Sequence, residues 1–67
     1  MKRAYGIIRD RKHPHWGCSG YVELDDDGQA DMLEIGGEFH VEMKFTNCQH
    51  METGAFVKPE MVKFIKQ

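Results

Sequence analysis

The segment 38–45 constrains the fold of this chain most strongly, because its apolar and polar residues alternate without a break. The apolar residues are Phe39, Val41, Met43 and Phe45, and the polar residues are Glu38, His40, Glu42 and Lys44. Successive side chains of a β-strand point to opposite faces of the sheet, so this period of two places the apolar residues on one face. A helix would scatter the same residues around its axis. We therefore predict a half-buried strand over 38–45.

The rest of the chain has the composition of further short strands separated by turns. Strands are predicted over 4–9, 21–25 and 31–35, and a closing segment over 55–65 is interrupted at Pro59. The turns at 26–29 and 36–37 contain Asp-Gly and Gly-Gly pairs, which are typical of tight hairpins. Proline and glycine mark residues 10–20 as a long loop. The chain is thus predicted to be all-β, with five short strands, and such a count fits a small barrel without exposed edges.

A length of 67 residues sets the size of the domain. Residues 1–67 form one domain, and a chain this short buries only about 60% of the surface that it exposes when unfolded. That leaves little room for an enclosed substrate pocket. The chain also lacks a nucleophile-elbow, phosphate-loop or dinucleotide motif. We therefore expect a binding protein and not an enzyme, with no cofactor and no small-molecule substrate.

Two stretches together resemble a known class of small barrels. Residues 17–22, Gly-Cys-Ser-Gly-Tyr-Val, resemble the Gly-x-x-Gly-x-Val turn of KOW-type and related SH3-like barrels. Residues 54–62, Gly-Ala-Phe-Val-Lys-Pro-Glu-Met-Val, resemble the segment that closes such barrels. The resemblance implies a single five-stranded SH3-like barrel with a short 3₁₀ turn before the last strand. Members of this class bind peptides, RNA, ribosomes or polymerase.

The formal net charge of −2 is the sum of three unequal parts of the chain. Residues 1–15 carry +4, residues 16–43 carry −8 with no lysine or arginine, and residues 44–67 carry +2. One interpretation is that these are solvated strand faces whose charges pair weakly across the sheet. The other is that the uneven charge steers a charged partner towards the protein.

The basic loop is the first predicted contact surface for a partner. Tryptophan and arginine are the residues that most often dominate the energy of protein interfaces, and aromatic rings also stack on nucleic-acid bases. Trp16 could instead fold back over one end of the barrel. The leading hypothesis is a protein-interaction module, and the alternative is a KOW-like module that binds RNA or DNA with its basic arm and loop aromatics. The predicted contact residues are Arg9, Arg11, Lys12, His13, His15, Trp16 and Tyr21.

An acidic face is the second predicted contact surface. It could dock a basic partner, or imitate phosphates and so block a protein that handles nucleic acid. The Asp-Asp-Asp-Gly run lacks the calcium-loop pattern and is interpreted as a turn. The acidic residues are Glu23, Asp25, Asp26, Asp27, Asp31 and Glu34.

Cysteines and histidines fall in two clusters, which gives a further alternative, a zinc-stabilised barrel. The candidate ligands are His13, His15, Cys18, Cys48 and His50. Their spacing does not match common zinc motifs, so we predict no metal site. No targeting segment and no apolar run long enough for a membrane helix is visible, so we expect a cytoplasmic protein that has no contact with a membrane. The cysteines are then expected to be reduced, and a Cys18–Cys48 disulfide is the alternative if the localisation differs.

Overall fold

The computed structural model describes residues 2–49 and 51–65 and contains six antiparallel strands. The all-β prediction and the short 3₁₀ turn before the last strand are confirmed. There is one strand more than predicted, because the turn divides the closing segment into two separate strands. The elements are β1 (Lys2–Ile8), β2 (Ser19–Leu24), β3 (Leu33–Ile35), β4 (Glu38–Asn47), β5 (Gly54–Val57), the 3₁₀ turn (Pro59–Met61) and β6 (Val62–Phe64).

The strands are ordered β3-β4-β2-β1-β6, and β5 pairs with β4 outside this path. β1 pairs with β2 from Lys2, opposite Leu24, to Ile7, opposite Ser19. β6 pairs with the end of β1. Among the described residues no ladder joins β6 to β5 or to β3, so hydrogen bonds do not close the sheet into a barrel. The short β6 uses its three residues to pair with β1 instead.

Aliphatic and methionine side chains form a small core on one side of the sheet. The alternation in 38–45 is confirmed at its centre, because Val41 and Met43 are buried and Phe45 packs against the core. Phe39 lies at the end of the same face but is 60% exposed. The core residues are Ile8, Val22, Val41, Met43, Val57 and Val62.

The close approach of β2 to β4 requires a glycine at position 20. A Cβ atom built there would lie 1.8 Å from the carbonyl oxygen of Lys44, far inside van der Waals contact. The register between the two strands also shifts between Ser19 and Gly20. Any side chain at this position would therefore force β2 and β4 apart.

A disulfide joins Cys18, just before β2, to Cys48, just after β4. The expectation of reduced cysteines is therefore wrong. The β2–β4 pairing sets Ser19 opposite Asn47, which brings the two neighbouring cysteines within a Cα–Cα distance of 4.3 Å. The two cysteines are far apart in the sequence, and only the pairing of the non-consecutive strands β2 and β4 brings them close together. The structure contains no helix, in the part of the chain that it describes, that is long and apolar enough to cross a membrane.

Candidate binding surfaces

The loop between β1 and β2, residues 9–17, is held at its base by the backbone of three segments; we call it the Trp16 loop. The Ile8 amide donates to the Cys18 carbonyl at 3.0 Å, and the Gly17 amide donates to the Ile8 carbonyl at 3.1 Å. The Arg9 amide donates to the carbonyl of Met61 in the 3₁₀ turn at 2.9 Å. The disulfide fixes the same base to the end of β4. A loop tied down in this way loses little conformational entropy when a partner binds.

Tight turns order the Trp16 loop internally. The Asp10 carbonyl accepts from the His13 amide, and the His13 carbonyl accepts from the Trp16 amide, each at 3.0 Å. The Asp10 carboxylate also accepts from the Lys12 amide at 2.9 Å. These three hydrogen bonds hold the backbone of the loop in a defined conformation.

Trp16 is 53% exposed and is not among the partly buried apolar residues that pack against the core. The guanidinium of Arg11 lies 6.0 Å from the centre of its ring, at the outer limit of a cation–π contact. Arg9 donates from Nη2 to the Glu60 carbonyl at 3.3 Å, and Lys12 is exposed. The loop therefore presents one large aromatic side chain with the Arg11 guanidinium beside it and two further cations elsewhere in the loop.

The two histidines of the loop serve mainly its own structure. His15 donates from Nε2 to a carboxylate oxygen of Glu52 at 2.6 Å, and its ring packs 5.5 Å from that of Phe45. His13 accepts the His15 backbone amide at Nδ1, and the two rings lie 5.5 Å apart. Burial, and then the charge of His15, lower the pKa of His13. Sequence reasoning did not single out Glu52, because it reaches His15 only across the fold.

Tyr21, which was grouped with the loop, lies instead on the outer face of the sheet. Its ring stands 5.8 Å from that of Tyr5, its partner across the ladder, and the Arg3 guanidinium lies 4.2 Å above it. Lys44 borders the same face and forms an ion pair of 3.0 Å with Glu23. This face is thus a second aromatic and cationic surface, separate from Trp16.

The acidic residues do not form a single face. Glu23 belongs to the outer face with Tyr21, where Lys44 neutralises it. Glu34 lies opposite Phe39 and therefore points to the side of the core. Asp25 shapes the predicted turn, because its carboxylate accepts from the backbone amides of Asp27 and Gln29 at 2.9 Å each.

Glu38 is also paired. Its carboxylate contacts the Lys58 ammonium at 2.5 Å, and this contact lowers the pKa of Glu38 and raises that of Lys58. Both groups face solvent, so the pair adds little to stability. The acidic charge that remains unpaired by lysine is concentrated around the turn after β2 and the start of β3.

The zinc alternative loses its thiolate ligands, because Cys18 and Cys48 are bonded to each other. His50 lies outside the described residues. Among residues 2–49 and 51–65, no group of three or more histidine, cysteine, aspartate or glutamate side chains is arranged to hold a metal ion.

Comparison with protein-family models, with curated proteins and with solved structures gives no match to this chain. Its function is therefore argued from the geometry of its surfaces.

Proposed function

We propose that this chain is a small, non-enzymatic module that binds a protein partner through the Trp16 loop. The observation that carries the proposal is a tryptophan that is 53% exposed on a loop fixed at its base by a disulfide and by backbone hydrogen bonds. Exposing so large an apolar side chain is unfavourable in the free protein. Burying it in a partner would recover that free energy, and the ordered loop keeps the entropic cost low.

The neighbouring cations define the chemistry of the partner. Arg11 lies beside Trp16, and Arg9 and Lys12 belong to the same loop, while Asp10 is engaged with the loop backbone. Tryptophan and arginine are the residues most enriched among those that dominate binding energy. The partner surface would therefore combine an apolar pocket for the indole ring with acidic residues at its rim.

The arrangement of the strands supports an SH3-like fold as the scaffold of this module. Its support is the long loop between β1 and β2, the strand path through β4, β2, β1 and β6, and the 3₁₀ turn before β6. The two ends of the open sheet would then meet by side-chain packing around Met43 and Val62.

A capture experiment with three forms of the protein tests the proposal. The wild type, Trp16→Ala and Phe56→Ala are immobilised and exposed to extract from the source cells. Phe56 is the matched control, because it is 49% exposed but lies on β5 in the sheet. We expect the same partner on the wild type and on Phe56→Ala, and its loss from Trp16→Ala. Equal recovery on Trp16→Ala would show that the loop is not the contact surface.

Nucleic acid is a second candidate ligand, and the outer face of the sheet favours it. The neighbouring Tyr5 and Tyr21 rings, tilted by 53° to each other, and the Arg3 guanidinium above the Tyr21 ring resemble the combination of aromatic rings and cations that binds single strands. A labelled single-stranded oligonucleotide would then bind at low salt and dissociate as salt rises. Tyr21→Ala should weaken the complex more than Trp16→Ala does. Absence of a mobility shift at low salt would exclude this candidate.

The disulfide supports a place of action where thiols are oxidised, in contrast to the cytoplasmic expectation. Disulfides persist mainly in oxidising compartments and are rare where glutathione keeps thiols reduced. Alkylation of free thiols at the moment of cell lysis, followed by mass measurement, tests this. We expect a chain without alkylated cysteines. Alkylation of both cysteines would show that the protein resides in a reducing compartment.

A further inference from the structure

His13 connects three parts of the Trp16 loop through hydrogen bonds. Its backbone amide donates to the Asp10 carbonyl, and its backbone carbonyl accepts from the Trp16 amide, each at 3.0 Å. Its ring atom Nδ1 accepts from the backbone amide of His15, also at 3.0 Å. The same residue therefore fixes both a titratable ring and the position of Trp16 in the loop.

The hydrogen bond at Nδ1 requires that the His13 ring is neutral. A neutral imidazole has one N–H donor and one acceptor nitrogen, so a ring that accepts at Nδ1 carries its proton on Nε2. A second proton can bind only at Nδ1, where it would face the N–H of His15 as one donor against another. The protonated ring therefore cannot make this bond, and the His15 amide loses its acceptor.

The neighbouring ring of His15 is held in place from other sides. Its Nε2 atom lies 2.6 Å from a carboxylate oxygen of Glu52, and its ring packs 5.5 Å from that of Phe45. The backbone carbonyl of His15 also accepts from the Cys18 amide at 3.0 Å, beside the disulfide. When the contact between the two histidine rings, 5.5 Å apart, becomes unfavourable, the ring that moves is therefore that of His13.

The surroundings of His13 determine the direction of its response to pH. Among the described residues, His15 and Asp10 act on its charge, and Glu52 faces His15 from the segment before β5. Burial of the ring and then the charge of His15 lower the pKa of His13, and Asp10 offsets them only in part. The ordered loop therefore binds the proton less tightly than an open loop, in which histidine has its ordinary pKa of about 6.5. A fall in pH below this value favours the open loop.

We propose that His13 is an acid-operated switch of the Trp16 loop. Protonation of Nδ1 breaks its bond with the His15 amide, the His13 ring moves away, and the Trp16 amide loses the carbonyl that orders it. The disulfide and the backbone bonds at its base keep the open loop attached to the sheet. A partner held by Trp16 would then be bound at neutral pH and released in acid, a consequence that rests on the function proposed above.

Nuclear magnetic resonance of the free protein, titrated from about pH 7.5 to about pH 5, tests the switch. At the higher pH the ring of His13 should carry its proton on Nε2. As this ring takes up its second proton, the hydrogen-exchange protection of the His15 and Trp16 amides should fall at least about fivefold, the effect of losing one ordinary hydrogen bond. Protection is measured relative to an unstructured peptide at the same pH, so that the direct effect of pH on exchange cancels. The Asp25 amide, which donates to the Gln29 carbonyl at 2.8 Å, is the reference outside the loop and should keep its protection.

Two substitutions of histidine by asparagine distinguish His13 from other titrating groups. In His13→Asn the side-chain oxygen accepts from the His15 amide in place of Nδ1, but it does not titrate. The protection of the His15 and Trp16 amides should therefore stay constant over the whole pH range. His40→Asn is the matched control, because His40 lies on β4 and its Nδ1 atom contacts the Glu38 carbonyl at 3.0 Å. This variant should lose protection in the loop as the wild type does.

Three outcomes would overturn the proposal. The first is a His13 ring that carries its proton on Nδ1 at neutral pH, or that takes up a second proton while the His15 and Trp16 amides keep their protection. The second is a loss of protection that follows the titration of His15 instead. Both are observed on the wild type, so they decide the matter even where His13→Asn does not fold. The third is an equal loss of protection in His13→Asn and in the wild type.

All of these measurements use the free protein. A failure to find a partner for Trp16 therefore leaves them unchanged, and a failure of the switch leaves the capture experiment with Trp16→Ala unchanged.

Discussion

Reduction of the Cys18–Cys48 disulfide should remove a large part of the stability of this protein. The bond closes a loop of 30 residues and so restricts the unfolded chain more than the folded one. The chain-entropy relation for a loop of this length gives about 12 cal/mol/K, or about 3.6 kcal/mol at 25 °C. A domain of this size has a total stability of about 3–10 kcal/mol, so the bond supplies between a third and all of it.

Urea and thermal unfolding, followed by far-ultraviolet circular dichroism with and without reductant, measure this contribution. The free energy of unfolding should fall by about 3.6 kcal/mol, and the melting temperature by about 20 °C. The urea dependence should steepen, because the reduced unfolded chain exposes more surface. The mass of the protein before and after reduction verifies the state of the two thiols.

The double variant Cys18→Ala with Cys48→Ala is the control for direct effects of the reductant. Its stability should not respond to reductant, and it should lie below that of the reduced wild type, since Cys18 is only 1% exposed and leaves a cavity when truncated. A loss of less than about 1 kcal/mol on reduction of the wild type would refute the loop-closure argument.

Three further predictions concern the loop, the sheet and the core. The lowered pKa of His13, caused by burial and by His15, means that the unfolded chain binds a proton more readily, so stability should fall as pH drops below about 6.5. His13→Gln should reduce this dependence of stability on pH. If the wild type and His13→Gln show the same dependence, His13 is not its source. Gly20→Ala should cost on the order of 3 kcal/mol, because its Cβ would collide with the β4 backbone, whereas Ser19→Ala should cost far less in the same urea titration. Met43→Ala should cost about 2–5 kcal/mol, because its side chain is fully buried, and a cost below 1 kcal/mol would show that the core can collapse around the gap.

Local pattern was sufficient to predict the strand class of the chain and the position of its central strand, although not the number of strands. The alternation around Val41 and Met43 identified the central strand, because burial of one face is a property that each strand carries in its own sequence. Pro59 marked the 3₁₀ turn for a similar reason, since its fixed φ angle and missing donor act locally. The Asp25 turn also follows from side-chain chemistry within a few residues.

Relations between distant residues were decided only by the tertiary structure. From the sequence we expected reduced cysteines, whereas the pairing of β2 with β4 brings Cys18 and Cys48 together in a disulfide. It grouped Tyr21 with Trp16, and the ladder to β1 placed that ring beside Tyr5 instead. Glu52 became the partner of His15 across a separation of 37 positions.

The acidic residues illustrate the same division. Their number and their place in the chain, along with the absence of lysine and arginine from residues 16–43, are fully determined by the sequence. Which of them are neutralised by a lysine depends on the pairing of β4 with its neighbouring strands. The alternation of side chains within a strand determines which of its residues share a face. The residues that contact this face come from strands far away in the sequence, and no local pattern predicts which strands will pair.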